Sequence, residues 1–168
     1  MRMRADRRGA RETAMRALFQ MDLSGCGPEW ALESVMEHSP DLELEGAASE
    51  YARSLVMGTS FNLGGIDRVI EGLTHDWAVS RMSPTDRNIM RVAVYEIMHT
   101  HDVPMAAAID EAVEIAKIYG SAESPRFVNG ILGALAEQIR AQKDADKKDR
   151  DAHANVGDSD GSPIGDEE

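Results

Sequence analysis

Apolar residues recur at helical spacing along most of the chain and predict about seven helices. The first four predicted helices cover about residues 8–23, 28–38, 48–63 and 66–73. The pair Gly64-Gly65 is predicted to interrupt the chain between the third and the fourth. No stretch shows the alternation of a strand, so the pattern favours an all-α fold.

The stretch "SPTDRNIMRVAVYEIMH" carries the clearest local signal for a helix start. Ser83 is predicted to be the N-cap, Pro84 the first helical residue, and Asp86 the acidic partner of a capping box. A sixth helix is predicted over about 104–119, and Gly120 is expected to end it in the left-handed conformation.

The last predicted helix runs over about 125–140 and contains two glycines. At 100° per residue its apolar residues share one face, and Gly130 and Gly133 lie on the opposite face with Arg126. A glycine inside a helix costs about 1 kcal/mol relative to alanine. Two explanations stay open: a neighbouring helix crosses there at close range, or an RNA backbone or a partner protein approaches, with Phe127 as a surface on which a base stacks.

Residues 141–168 carry much charge and few large apolar side chains, so we expect a disordered acidic tail. The predicted organisation is therefore a helical domain over 1–140, a compact bundle of about seven helices, followed by that tail.

Charge is distributed unevenly along the chain, whose formal net charge is −12. Residues 1–16 contain six basic and two acidic residues, net +4, whereas 17–140 contain eight basic and 19 acidic residues, net −11. An acidic body repels nucleic acid and attracts a basic protein, so any RNA contact must be local. The basic N-terminal arm is the candidate phosphate contact; if the first helix extends back to Arg4, then Arg4, Arg8 and Arg11 share one stripe.

The sequence indicates neither a redox site nor a membrane protein. Cys26 is the only cysteine, which suits a cytoplasmic protein, and no apolar run is long enough to span a membrane. His99, His101 and Asp102 supply too few ligands for a closed zinc site, and structural roles are favoured for them. Because no phosphate loop or nucleophile motif is present, we expect a non-enzymatic protein without cofactor or metal.

Four segments resemble the NusB family of bacterial transcription antitermination factors. They are "RRGARETAMRALFQ", "RMSPTDRNIMRVAVYEI", "VPMAAAIDEAVEIAKIYG" and "SPRFVNGIL", and their order and spacing match together from about residue 7 to 139. The family domain also occurs fused to ribosomal RNA methyltransferases, but the stand-alone factor is the better match.

The resemblance implies an all-helical fold of two small subdomains and a role in RNA-dependent assembly. Family members pair with the small-subunit ribosomal protein NusE and bind the boxA element of nascent RNA. RNA polymerase carrying this antitermination complex reads through terminators, notably in ribosomal RNA operons. We therefore expect boxA RNA, NusE and the polymerase complex as partners, and the sequence leaves monomer and homodimer both open.

The resemblance also implies two sets of site residues. The RNA side comprises the arm, which we extend to Arg4 by helical spacing, and the start of the last helix: Arg4, Arg7, Arg8, Arg11, Glu123, Arg126 and Phe127. The NusE side comprises Phe19 and Asp86, with Arg87 and Arg91 close by.

Two other functions are compatible with the sequence. One is a helical adaptor that recruits a basic protein without touching RNA. The other is an accessory subunit of an RNA-modifying enzyme. Crosslinking of Arg8 or Phe127 to boxA RNA in the presence of NusE distinguishes the first from an RNA-binding factor, and co-purification with a methyltransferase would favour the second.

Overall fold

The computed structural model describes residues 2–42, 44–75 and 77–156, and this part of the chain is helical without a strand. Its elements confirm the all-α prediction. They are α1 (Arg2–Ser24), α2 (Pro28–His38), a 3-10 turn (Pro40–Leu42), α3 (Ala47–Phe61), α4 (Leu63–Leu73), a second 3-10 turn (Val79–Arg81), α5 (Pro84–His99), α6 (Met105–Tyr119) and α7 (Ser124–Val156).

The first three helices share a core built around small residues of α1. Ala10, Ala14 and Ala17 are fully buried, and the absence of long side chains there allows α2 and α3 to pack close to α1. Larger residues of the neighbouring helices fill the remaining space: Leu32, Val35, Leu55, Val56 and, from α5, Val92. Burying one such side chain contributes about 1.5–3 kcal/mol.

Helix α5 lies at the centre of the fold and contacts α1, α3, α4 and α6. Its predicted N-cap is confirmed, because the amide of Asp86 donates to Ser83 Oγ at 3.0 Å. The return bond of the predicted capping box, from the Ser83 amide to the Asp86 carboxylate, is not formed among the described residues. On α3, Gly58 lies against the ring of Tyr95: a Cβ at this glycine would be 2.0 Å from a ring carbon. The glycine therefore permits the close approach of α3 and α5.

Two predicted helix boundaries differ from the structure, one in its position and one in its backbone conformation. The break between α3 and α4 falls at Asn62, whose side chain donates to Gly58 O at 2.8 Å, and Gly64-Gly65 lie inside α4. Gly120 ends α6 with an extended backbone, φ −90°, and the predicted left-handed conformation is wrong. A side chain is excluded there because its Cβ would lie 2.4 Å from the Cβ of Ser124.

The chain forms two units that divide after Ala134. The first contains α1 to α6 and the start of α7, where Val128 and Leu132 are fully buried as the helical spacing predicts. In the second unit, α7 continues to Val156, beyond the predicted end near Arg140. The first 16 residues of the predicted tail are thus helical, since no glycine or proline interrupts them, and residues 157–168 lie outside the described part.

Candidate nucleic-acid interface

Arg7 and Arg8 lie on the surface of α1, and each is paired with a carboxylate. Arg7 Nη2 donates to Asp102 Oδ2 at 2.8 Å, and its guanidinium lies 5.0 Å from the centre of the Tyr51 ring. Arg8 Nε and Nη2 donate to the two oxygens of Glu111 at 2.6 and 3.0 Å. The side chains of Arg7 and Arg8 remain 43% and 33% exposed, so an RNA phosphate can reach both.

These ion pairs shift the pKa values of the residues that form them. The hydrogen bond to Asp102 raises the pKa of Arg7, and the same bond holds the pKa of the Asp102 carboxyl below its ordinary value. The pKa of Arg8 is raised in the same way by its hydrogen bond to Glu111. Both arginines therefore stay charged, and a phosphate that binds them must compete with a carboxylate.

Arg11 requires a correction, because the structure buries it instead of presenting it to RNA. Only 5% of Arg11 is exposed, and its guanidinium donates three hydrogen bonds of 2.8 to 3.0 Å to the fully buried carboxylate of Glu96. Tyr51 also donates its hydroxyl to Glu96. Burial, followed by this bond, raises the pKa of Tyr51, so the hydroxyl keeps its proton. Arg11 therefore holds α1 against α5.

Arg4 lies within α1, which extends back to Arg2, so the backbone places it on the predicted stripe with Arg8. Its side chain is outside the described part of the chain.

The other residues predicted on the RNA side meet at an open groove of about 540 Å³ between the starts of α5 and α7. Glu123, Arg126 and Phe127 all line it. Trp77, which sequence reasoning did not select, also lines the groove. Its ring centre is 5.8 Å from that of Phe127, at an interplanar angle of 52°. Glu123 and Arg126 are exposed and Phe127 is half-buried, so a ligand can reach them.

The two glycines of α7 have free space beside them. No atom of the described residues outside the glycine's own surroundings in α7 lies within 4 Å of a Cβ built on Gly130 or Gly133. Of the two explanations left open by the sequence, the close crossing of a neighbouring helix is therefore not found among these residues. Gly130 lines the groove.

Two of the residues predicted on the partner side, Arg87 and Arg91, bind Asp22 of α1. Asp22 accepts hydrogen bonds from Arg87 Nε at 2.7 Å, from Asn88 Nδ2 at 2.8 Å and from Arg91 Nη1 at 3.0 Å. Arg91 also donates twice to Asp67 of α4 at 2.7 Å and is only 6% exposed. Arg91 is therefore a buried residue of α5 that links this helix to α1 and α4. The expectation that Arg91 lies at a binding surface is corrected.

Burial alone would raise the pKa of Asp22. The hydrogen bonds from Arg87 and Asn88 and the charge of Arg91 together outweigh burial, so the pKa of Asp22 lies below its ordinary value. Phe19 lies one turn before Asp22, and Asp86 directly precedes Arg87, so the bond between Asp22 and Arg87 brings these two segments together. Phe19 and Asp86 are both half-buried.

Asp86 connects the two predicted surfaces. Its side chain lines the same groove as Arg126 and Phe127, and its Oδ1 is buried without a hydrogen-bond partner among the described residues. The predicted RNA side and partner side therefore meet at the start of α5.

Two of the three residues considered as zinc ligands, His99 and Asp102, make other contacts. The His99 ring stacks on Tyr95 with centres 5.0 Å apart, and Asp102 pairs with Arg7. Over the residues that the structure describes, no group of three His, Cys, Asp or Glu is placed to hold a metal ion. Within the same residues, none of the helices is long and apolar enough to cross a membrane.

Comparison with known proteins gives consistent matches. The sequence pattern of the NusB family fits residues 8–137. The transcription antitermination protein NusB of Pelotomaculum thermopropionicum is 47% identical over 131 residues, which are 78% of this chain and 89% of the relative. The structure of T. maritima NusB matches with a TM-score of 0.71 and 38% identity over 78% of this chain and 90% of that one.

A further structural match is a crystal structure of the antitermination factors NusB and NusE in complex with double-stranded RNA. It has a TM-score of 0.73 and 28% identity, and the match covers 80% of this chain and 98% of that one. The family match at 8–137 includes Arg8 and the residues that line the groove.

Proposed function

The chain belongs to the NusB family, and from this premise we propose that it is a transcription antitermination factor. It binds boxA RNA together with the ribosomal protein NusE and promotes read-through by RNA polymerase, notably in ribosomal RNA operons. It acts in the cytoplasm and as a non-catalytic assembly factor. The observation that carries the proposal is the groove at the start of α7, where Arg126 and Phe127 lie side by side and open to a ligand.

The RNA contacts divide between the arm and the groove. Arg7 and Arg8 offer charge to phosphates, together with Arg4 at the start of α1. At the groove, Arg126 offers a further charge and Phe127 an aromatic ring, while Glu123 accepts hydrogen bonds. A few arginines give weak, salt-sensitive binding, so the isolated chain binds boxA RNA much more weakly than the complex with NusE.

NusE binds at the surface that contains Phe19 and Asp86. The acidic charge of residues 17–140, net −11, favours a basic ribosomal protein as the partner. Arg87 and Arg91 act indirectly, since their bonds to Asp22 fix α1 relative to α5 beneath this surface.

The test is a titration of boxA RNA with the chain alone and with the chain plus NusE, in which fluorescence anisotropy reports RNA binding. The solution mass of each sample gives its oligomeric state. We expect much tighter binding with NusE, and a loss of affinity for Arg8→Ala and Phe127→Ala. Arg53→Ala is the matched control, because Arg53 is an exposed arginine paired with Glu29. Equal affinity with and without NusE would contradict the proposal that the complex with NusE binds boxA RNA more tightly than the isolated chain.

Other outcomes would favour the alternative functions. Tight NusE binding with no RNA affinity above that of NusE alone would indicate a protein-recruiting adaptor. Co-purification of the chain with an RNA methyltransferase, and not with RNA polymerase, would indicate an accessory subunit of a modifying enzyme.

A further inference from the structure

Trp77 is a large aromatic residue that remains 49% exposed in the segment between α4 and α5. Its backbone is nevertheless held firmly. Thr74 Oγ1 donates to the carbonyl of Trp77 at 2.9 Å, and the amide of Val79 donates to the carboxylate of Glu71 at 3.0 Å. Val79 itself is buried and anchors the turn. The indole is therefore kept at the surface by its local structure, although burying it would be favourable.

Phe127 of α7 lies against Trp77, with ring centres 5.8 Å apart and a tilt of 52°. At this distance and angle the edge of one ring approaches the face of the other, so a planar ligand cannot enter between the two rings. The exposed half of the Trp77 indole stays available for stacking. The volume of about 540 Å³ is within the range of ordinary small-molecule sites.

The charges around the groove indicate which part of an RNA fits. Two carboxylates, Asp86 and Glu123, line it and repel phosphate. Carboxylates do accept hydrogen bonds from the amino groups of bases. Arg126, the cation of the groove, is exposed and can bind the phosphate that flanks an inserted base. The groove therefore suits an uncharged planar group next to a phosphate.

Resting on the RNA-binding function proposed above, we propose that Trp77 is a further RNA contact and that the groove holds one unpaired base, which stacks on the Trp77 indole and contacts the tilted Phe127 ring with its edge. Stacking tolerates any base, and the two carboxylates favour bases with an amino group over uracil. Asp86, expected on the NusE side, thereby also lines the RNA site, so RNA and partner meet at this groove.

The first test is boxA RNA affinity in the presence of NusE, measured by anisotropy for Trp77→Ala and Trp77→Phe. We expect the alanine variant to bind roughly 5- to 100-fold more weakly and the phenylalanine variant to recover most of the loss, as base stacking on an aromatic ring requires. Trp30→Ala is the matched control, because Trp30 is also an exposed tryptophan, on α2. We expect its affinity to equal that of the unmodified chain.

The second test keeps Trp77 in place and does not depend on how the alanine variant folds. The variant Trp30→Phe leaves Trp77 as the only tryptophan of the chain, and Trp77→Phe leaves only Trp30. We expect boxA RNA, added to each variant in complex with NusE, to quench the fluorescence of the first variant and not that of the second, after subtraction of NusE alone.

Each outcome separates this proposal from the proposed function. If the unmodified chain with NusE fails to bind boxA RNA, the proposed function is wrong, and this proposal with it. If RNA binds but Trp77 fluorescence is unchanged and Trp77→Ala binds normally, only this proposal is overturned. A response of Trp77 to NusE without any further response to RNA would also overturn it and would assign the groove to the protein partner.

Discussion

Replacing Arg11 should destabilise the protein strongly, because it would leave the carboxylate of Glu96 buried without its countercharge. Glu96 has no exposed surface and Arg11 is 5% exposed, so water cannot replace the lost partner. Breaking such a buried pair from one side costs about 3–5 kcal/mol. A domain has about 5–15 kcal/mol of total stability, so Arg11→Met should remove a large fraction of it.

A double-mutant cycle measures how much of this cost belongs to the pair. Glu96→Gln keeps an acceptor for the hydroxyl of Tyr51 and removes the charge. We expect the double variant Arg11→Met with Glu96→Gln to be more stable than the sum of the two single losses, by about 1–3 kcal/mol. The assay is urea denaturation followed by circular dichroism at pH 7.

The matched control is Arg53→Met, because the side chains of Arg53 and Glu29 are 50% and 62% exposed. Exposed pairs contribute about 0–1 kcal/mol, so this variant should unfold almost as the unmodified chain does. The reasoning would be refuted if Arg11→Met lost no more stability than Arg53→Met, or if the two changes of the cycle were simply additive.

Three further predictions concern charge, packing and RNA binding. Because the pKa of Asp22 is lowered, its bonds stabilise the fold above its unfolded pKa of about 3.9 and are lost as the pH falls through the folded value. The stability difference between Asp22→Asn and the unmodified chain in urea denaturation should therefore shrink below about pH 4, and a constant difference would contradict this. Gly58→Ala should destabilise by about 1–3 kcal/mol through its clash with a tyrosine ring, whereas Gly133→Ala should stabilise by up to about 1 kcal/mol; thermal unfolding of both checks the contrast. Asp102→Asn frees Arg7 and should raise the affinity for boxA RNA roughly two- to five-fold at low salt in the anisotropy assay, and an unchanged or lower affinity would show that the pair does not compete with phosphate.

The helices could be predicted from the sequence because their signals are local. The start of α5 needs only the side chain of Ser83, the ring of Pro84 and an amide two residues further on. The end of α6 was predicted at the right residue for the wrong reason. The reason lies in a contact between Gly120 and Ser124, and a helix-capping rule does not contain that contact.

The burial of Arg11 had a signal in the sequence. Arg11 shares a stripe with Ala14 and Leu18, at spacings of three and seven residues, and Glu96 shares one with Ile89 and Val92. Opposite charges on two apolar stripes indicate a buried pair if the helices pack together. The tertiary structure decides which helices pack together, and periodicity does not contain this information. The partner of Arg11 could therefore not be assigned from the sequence pattern.

Trp77 had no comparable signal. It lies outside the helices, where no periodicity assigns a face, and its neighbour Phe127 is 50 positions away in the sequence. The network around Asp22 could not be predicted either, because its partners are distant in the sequence. It joins α1, α4 and α5 through residues between 24 and 69 positions apart.

The carboxylate beside Arg7 affects how the RNA affinity should respond to salt. When a free cation binds a phosphate, it releases a condensed counterion from the RNA, and each such event steepens the fall of affinity with salt. Here Asp102, whose side chain is 64% exposed, already serves as a tethered anion for Arg7, and RNA binding displaces it on the protein itself. The displaced carboxylate must then recruit mobile cations, some of which the RNA has just released. The slope of log affinity against log salt should therefore be shallower than a count of arginine contacts implies.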